Sequence, residues 1–298
     1  MAPKLGLVIT QRDEGALLRA QVLYHLACGV AHIVVVDNDS ANHNTIEVLL
    51  DLGTIRNVTV IRDDSALFDQ ERLANLGIHY LLTGCGIIDW IMSLDVDEFL
   101  AVHGDLTTFL VNLEDDGTVY ASIRTANNIP DRLCIQRPSA PPYLGSASFY
   151  LPEPERRWQE IGHFAKALCR AHNGMMVSVG NHYFYHAPLV KTFSQAPYTP
   201  VAIGIKSAVL LHYEMRDAGT ELLQKWNNLG SRHVIPGAAP QASWWEKRDI
   251  MLRRAQCFRR EPERLYDFIV RERRTLWGSR IRQEQMCRYT AVADALLL

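Results

Sequence analysis

Net charge is nearly missing from this chain. Its 298 residues carry a formal charge of −2, which gives no global argument for a nucleic-acid partner. No apolar run reaches the length of about 18 residues that a spanning helix needs, so nothing reads as a transmembrane segment. The opening Met1-Ala2-Pro3-Lys4 shows no signal-peptide pattern and passes at once into a strand-like run. Cys-x-x-Cys spacing is missing too. Cys28, Cys85, Cys134, Cys169, Cys257 and Cys287 are scattered, which argues against a zinc knuckle or a redox pair and fits reduced thiols. These absences lead us to expect a cytoplasmic protein. Internal repeats and low-complexity tracts are also absent. What remains is a globular composition, 48% hydrophobic and 21% charged, in a chain long enough for one large domain or two small ones.

The chain is organised around Trp90-Ile91-Met92-Ser93-Leu94-Asp95-Val96-Asp97-Glu98-Phe99-Leu100. Ile91 to Leu94 read as a buried strand after a turn containing Gly84 and Gly86. Three carboxylates stand where that strand ends, and ligands of open α/β sheets bind at the carboxyl ends of strands. Burying Asp95 and Asp97 without a partner costs several kcal/mol, so a positive group is expected beside them. Two carboxylates two residues apart suit Mg²⁺ or Mn²⁺, which prefer oxygen ligands. The plainer alternative is that the acidic residues only cap the next helix.

Taken in order, Leu5 to Ile9 read as a first strand, followed by the polar turn Thr10 to Gly15. Ala16 to Cys28 have helical periodicity, with Leu18, Val22 and Leu26 on one face and Gly29 as the stop. Ala31 to Val36 form a strand ending in the polar Asp37-Asn38-Asp39-Ser40. A helix over Thr45 to Leu52, a strand over Val58 to Ile61 and a helix over Asp69 to Leu82 follow. The last places Leu73, Leu76 and Tyr80 on its buried face. This alternation predicts an α/β fold, a mostly parallel, doubly wound, Rossmann-like sheet with helices on both faces. The polar ends at Thr10 to Glu14 and Asp37 to Ser40 should then share one edge with Asp95 and Asp97. A short helix over Leu106 to Leu113 and a strand over Val119 to Ala126 come next. After these, Pro130, Pro138, Pro141, Pro142, Pro152 and Pro154 mark loops and short antiparallel strands. Phe164 to Arg170 and Met175 to Val179 read as a hairpin around Asn173-Gly174. An aromatic stretch from Asn181 to His186, a strand over Ala208 to Leu211 and a helix over Gly219 to Leu229 follow. From Ser243 the chain reads as a helical extension with breaks at Pro262 and Gly278. Between Met251 and Tyr289 it has eleven Arg against five Asp and Glu. That excess fits a solvated helical face, or an anionic membrane surface or partner.

The order of Arg12-Asp13-Glu14, Val35-Val36-Asp37-Asn38-Asp39-Ser40, Trp90 to Leu100, Leu211-His212-Tyr213 and Lys225 resembles the GT-A-fold glycosyltransferases. The similar group is family 2-like and carries an Asp-Val-Asp-Glu-Phe motif. The resemblance is dense over 5–113 and returns at 181–230. It implies a nucleotide-sugar-binding half over 1–115 and an acceptor-side half over 116–235, with the Arg-rich extension over 236–298. It implies transfer of a sugar, hexosyl by class, from a nucleotide-diphosphate donor to an acceptor hydroxyl, inverting and dependent on Mn²⁺ or Mg²⁺. Asp97 would ligate the metal, and Asp95 the metal, its water or the ribose. His212 would add a ligand or contact a phosphate. Thr10, Arg12 and Glu14 would line the nucleotide, Asp37 would meet base or ribose, and Lys225 would face the diphosphate. For the base, Glu155, Glu160, His163 and His182 are candidates, and we carry Glu160 and His182 forward.

A UDP-sugar is the favoured donor, and the acceptor is a glycan, a lipid, a protein or a small molecule. The C-terminal helices offer a homodimer contact or attachment to the inner face of a membrane. Two competing classes stand beside the transferase. A nucleotidyltransferase acting on a sugar phosphate also uses paired carboxylates, but its opening turn is Gly-rich, and Thr10 to Gly15 has one Gly. A binding protein without turnover would keep the fold and lose the chemistry.

Overall fold

Strand β1 (Leu5–Gln11) is wholly buried. The structure, a computed structural model, describes residues 1–65, 69–130, 147–151, 165–186, 200–204, 206–213 and 279–280. β1 is followed by α1 (Gly15–Ala27), β2 (His32–Asn38), α2 (His43–Gly53), β3 (Val58–Asp63), α3 (Gln70–Gly84) and β4 (Trp90–Asp95). Then come β5 (Glu98–Val102), α4 (Leu106–Asp115) and β6 (Tyr120–Pro130). β7 (Ala147–Leu151), β8 (Ala165–Arg170), β9 (Met175–Val177), β10 (Phe184–His186), β11 (Val201–Ala202), β12 (Ala208–His212) and β13 (Ser279–Arg280) complete the described elements.

Two units make up the chain. The first comprises Met1–Ala126, Pro154–His212 and Arg282–Leu298; the second comprises Asn127–Glu153 and Tyr213–Ile281. In the first, the sheet order is β6-β8-β4-β1-β2-β3. β4, β1, β2 and β3 are parallel, as the β-α alternation predicts. β8 runs antiparallel between β4 and β6. β12 pairs antiparallel with β5 and sets His212 opposite Glu98. In the second unit, Asn127–Pro130 pair with β7, and β7 pairs with β13. β13 follows directly on Gly278, so a strand stands at Ser279–Arg280 where the sequence suggested resumed helix.

Polar caps mark where helices begin. Asn42 accepts hydrogen bonds from the Asn44 and Thr45 amides, Asp69 from Arg72, and Asp105 from Thr108. The core lies on both faces of β1 and β2, where Leu7, Val8, Ile9 and Ile33 to Val36 have no exposure. Val8, Val34 and Val36 pack with Leu73, Ala74, Ile78 and Leu81 of α3. By the two-residue alternation of a strand, Leu7, Ile9 and Val35 face the other side.

Three expectations are corrected. α3 buries Leu73, Ala74, Gly77, Ile78 and Leu81, whereas Leu76 and Tyr80 are partly exposed. The face is centred on Gly77 because its missing side chain lets the helix lie against Val8. The Asn173-Gly174 turn exists, with Gly174 at φ +79°, but its arms do not form a hairpin. β8 joins β4 and β6 in the main sheet, and β9 pairs with β10 instead. Asp97 separates a strand from a strand, because Glu98 opens β5. Among the described residues, no helix is long and apolar enough to cross a membrane.

Candidate functional site

The carboxyl ends of β1 and β4 meet at a reversal of the winding. From β1 the chain moves to β2 and β3, then returns through α3 past both to β4 on the other side of β1. Such a switch point opens a crevice at the strand ends. Thr10 is the register partner of Asp95 across it, and Gln11 is that of Asp37.

Loops after β1 and β2 lock each other. Asp13, at φ +59°, accepts hydrogen bonds at 2.8 Å from the Ala41 and Asn42 amides. The Asp13 amide donates to Ser40 Oγ at 2.8 Å. Gln11 Nε2 donates to Asp37 Oδ1, the Ser40 hydroxyl donates to the same oxygen, and the Ser40 amide donates to Asp37 Oδ2. Asp37 is therefore buried with both oxygens engaged by its neighbours. Arg12 Nη1 donates to Asn38 Oδ1 at 3.4 Å. Glu14 precedes α1 without a side-chain cap bond, and its amide donates to Gln11 Oε1. The Thr10 hydroxyl is buried and has no hydrogen-bond partner among the described residues.

The acidic turn from Asp95 to Glu98 is held from below by α1. Gln21 Nε2 donates to the carbonyls of Asp95 and Glu98, each at 2.7 Å. Tyr24 donates its hydroxyl to the Leu100 carbonyl, and His25 Nε2 accepts the Leu100 amide at 3.0 Å. The Asp95 amide donates to Glu98 Oε2 at 2.9 Å, which closes the turn. Lys166, on β8, places its ammonium 2.9 Å from Asp95 Oδ2, 3.1 Å from Glu98 Oε1 and 2.7 Å from the Gly180 carbonyl. Gln70 Nε2 donates to Asp95 Oδ1, and Asn181 Nδ2 lies 3.5 Å from it. Burial raises the Glu98 carboxyl above its ordinary value although Lys166 pulls it down. Burial opposes the Lys166 charge, but Asp95 and Glu98 outweigh it and hold the ammonium above its ordinary value.

Beside this cluster, Asp97 is fully buried and its Oδ1 stands 3.5 Å from His212 Nε2. The antiparallel pairing of β5 with β12 makes that approach. His182 Nδ1 lies 2.8 Å from the Ala165 carbonyl, to which it must donate because a carbonyl oxygen only accepts. The neutral ring therefore carries its lone pair on Nε2.

Of the residues singled out in the sequence, Thr10, Asp95, Asp97, His182 and His212 converge on the β1–β4 edge and the strands beside it. Arg12 flanks them. Asp37 and Glu14 belong to the interlocked loops, and Glu160 and Lys225 lie outside the described residues. Gln21, Gln70, Lys166 and Asn181 were missed. The one signal for Lys166 is a lone cation in the apolar run Ala165-Lys166-Ala167-Leu168-Cys169. The others had none, because their partners are distant in sequence.

No family model and no curated protein matches the chain. Solved structures similar to it include apo WbbM, a bifunctional glycosyltransferase, at TM-score 0.27 and 16% identity over 42% of this chain and 23% of that one. Another is 4-diphosphocytidyl-2C-methyl-D-erythritol synthase from Anaerococcus prevotii, at TM-score 0.31 and 9% identity, covering 57% of this chain and 70% of that one. An active-site mutant of LgtC gives TM-score 0.25 and 15% identity, covering 55% and 56%. The chain thus spans less than a quarter of WbbM and little more than half of LgtC. Likenesses this slight leave the site's own geometry as the ground for a functional assignment.

Proposed function

We propose that the protein is a GT-A-like, metal-dependent glycosyltransferase acting on a nucleoside-diphosphate sugar, with a UDP-sugar as the favoured donor. The observation that carries this reading is the Asp97–His212 pair, 3.5 Å apart beside the β1–β4 switch point. Two ligand atoms on one ion, with bonds of about 2.1 Å, stand roughly 3–3.5 Å apart, so the carboxylate and imidazole fit a shared Mn²⁺ or Mg²⁺. Among the described residues no cluster of three or more His, Cys, Asp or Glu forms a metal cage. A site of one or two protein ligands completed by phosphate oxygens and water suits a hard ion that travels with a diphosphate. When bound, the ion would stabilise the charge that develops on the leaving diphosphate.

The chain's own groups complete the reading. The Thr10 hydroxyl is a buried polar group in want of a partner, and a nucleotide at the strand ends would supply one. Arg12 adds positive charge beside it. We assign to His182, whose Nδ1 is tied to the Ala165 carbonyl, the role of the base that takes the acceptor hydroxyl's proton in an inverting displacement. The test is calorimetric titration with a panel of nucleoside diphosphates, with and without Mn²⁺. We expect one diphosphate to bind only when the metal is present. Asp97→Asn should remove that binding and turnover while circular dichroism stays unchanged. Failure of every diphosphate to bind the folded protein under both conditions would overturn the assignment.

A further inference from the structure

The strand ends present two faces, and the register of the sheet tells them apart. Side chains alternate along a strand, so residues two apart share a face. Val8 and Val36 pack on α3, which puts Thr10 and Asn38 on the α3 side as well. Asp95 is the register partner of Thr10 and takes a hydrogen bond from Gln70 at the start of α3, so it belongs to the same side. Gln11 and Asp37 are register partners of each other and face the opposite side, where the loops leading into α1 and α2 lie.

The two sides differ in what their polar groups have left to offer. On the side away from α3 these groups are spent on one another. Gln11 donates through Nε2 to Asp37 Oδ1 and to Ser40 Oγ, and its Oε1 accepts the Glu14 amide. Asp37 is 1% exposed and takes the Ser40 hydroxyl and amide besides. Asp13 adds an outer tie, with one oxygen accepting the Ala41 and Asn42 amides. Thr45 Oγ1 accepts the Gly15 amide, and the fit is so close that a Cβ at Gly15 would stand 2.8 Å from Thr45 Cα. On the α3 side, Arg12 reaches Asn38 through one long bond of 3.4 Å, and Asn181 stands beside Asp95. There the Thr10 hydroxyl, Arg12 Nε and Asn181 Oδ1 are buried without a hydrogen-bond partner among the described residues. Such atoms cost free energy that the polar atoms of a ligand offset.

We infer that Asp37 is a positioning residue and not a contact of the nucleotide. With Asp13 it forms a lock behind the strand ends that holds the loops after β1 and β2 in place before a ligand arrives, and it leaves the nucleotide to Thr10 and Arg12 on the α3 side. The inference rests on the nucleotide-binding reading above. A ligand binds the fraction of molecules whose site is already formed, so a lock opened in roughly nine molecules of ten raises the apparent dissociation constant about tenfold, whatever the base. A residue that touched the base would act otherwise, by changing which base is preferred.

The experiment is calorimetric titration of the full-length protein with UDP, CDP, ADP and GDP, each with Mn²⁺, beside urea unfolding of the same samples. Asp13→Gly accommodates the left-handed backbone at φ +59° and removes the carboxylate, whereas Asp13→Asn keeps both the backbone and an accepting oxygen. Asp13→Gly should weaken binding of the preferred diphosphate by about tenfold, and Asp13→Asn by less than about twofold. Asp37→Asn should weaken it by about tenfold with the same diphosphate still preferred. Asp13→Gly combined with Asp37→Asn should fall short of the product of the two effects, because both open one lock. A changed preference in Asp37→Asn would overturn the inference by placing that carboxylate on the base. Unchanged affinities in folded Asp13→Gly and Asp37→Asn, with only the urea midpoint lowered, would overturn it as well and make the lock a support of the fold alone. Either result leaves the transferase reading standing. Binding of no diphosphate by the folded parent protein would remove that reading and the inference with it. Where Asp37→Asn does not fold, the comparison of Asp13→Gly with Asp13→Asn decides the matter.

Discussion

His25 has every polar atom of its ring accounted for. Nδ1 donates to the Gln21 carbonyl and Nε2 accepts the Leu100 amide, while the ring stacks on Phe99 and meets Tyr24 edge-on. Protonation would put a charge into a dry pocket and remove the acceptor from the Leu100 amide. Burial accordingly lowers its pKa to about 4 from an ordinary 6.5. Since the folded value lies below the unfolded one, the unfolded chain takes up the proton first as pH falls. The contribution is fully present above 6.5 and is lost as pH falls from there through 4. A difference of this size corresponds to about 3 kcal/mol. Urea unfolding between about pH 7.5 and 4.5 should show a loss of that order in the parent chain. His25→Leu should be less stable near neutrality, because the Leu100 amide loses its acceptor, and its profile should be flatter. Equal slopes in the two proteins would assign the pH dependence to other groups. In the sequence, Gln21 and His25 carry no mark of burial, because each bonds backbone groups 74 to 77 residues away. The need of Asp95 for a positive partner was legible, because charge at a strand's end is costly without one, whereas His212 entered only through the family resemblance. That the partner of Asp95 is Lys166 was not legible, since the demand names a charge and not a residue.

Helix α3 shows how one small residue sets the contact of a whole element. A Cβ at Gly77 would overlap Val8 Cγ1 and stand 3.1 Å from Val36 Cγ2. Gly77→Ala would gain about 1 kcal/mol of helix propensity. It would lose about 1–3 kcal/mol to overpacking, since a β-branched valine in a central strand has little room to turn. We expect a net loss of about 1 kcal/mol by denaturant unfolding. Val8→Ala on its own opens a cavity, but combined with Gly77→Ala the two changes should offset one another by more than about 0.5 kcal/mol in a double-mutant cycle. Additive effects would mean that α3 moves away from the sheet without resistance. Periodicity located this helix to within two residues at its ends but rotated its buried face toward Leu76 and Tyr80. Large side chains weighed in that reading, whereas the actual contact is made where the side chain is smallest. The same limit explains β8 and β9. Each was legible as a strand, while their partners β4, β6 and β10 were set by contacts that a local turn signal does not report.

At the scale of the first unit, the site is assembled from strands far apart in the chain. β1 contributes Thr10, β4 Asp95, β8 Lys166 and β12 His212, so its geometry exists only when the sheet has closed around β1. The alternation of strand and helix made the parallel sheet and the shared polar edge legible. The order β8-β4-β1-β2-β3 was not, because adjacency is chosen by packing across the sheet and not by neighbours along the sequence. A ligand that spans this edge binds the folded state and has nothing comparable to bind in the unfolded chain. At about one hundred times its dissociation constant it should stabilise the protein by about 2.7 kcal/mol. In a chain of this length that raises the unfolding midpoint by roughly 5 °C. With a net charge of −2 there is no broad attraction for a diphosphate, so the rise should require the local positive charge that a divalent ion brings. Thermal unfolding monitored by intrinsic fluorescence should therefore show the rise with diphosphate and Mn²⁺ together. It should vanish with a chelator and be missing in Asp97→Asn. A rise that survives the chelator would place the diphosphate on Arg12 and other side-chain cations and take the ion out of the binding step.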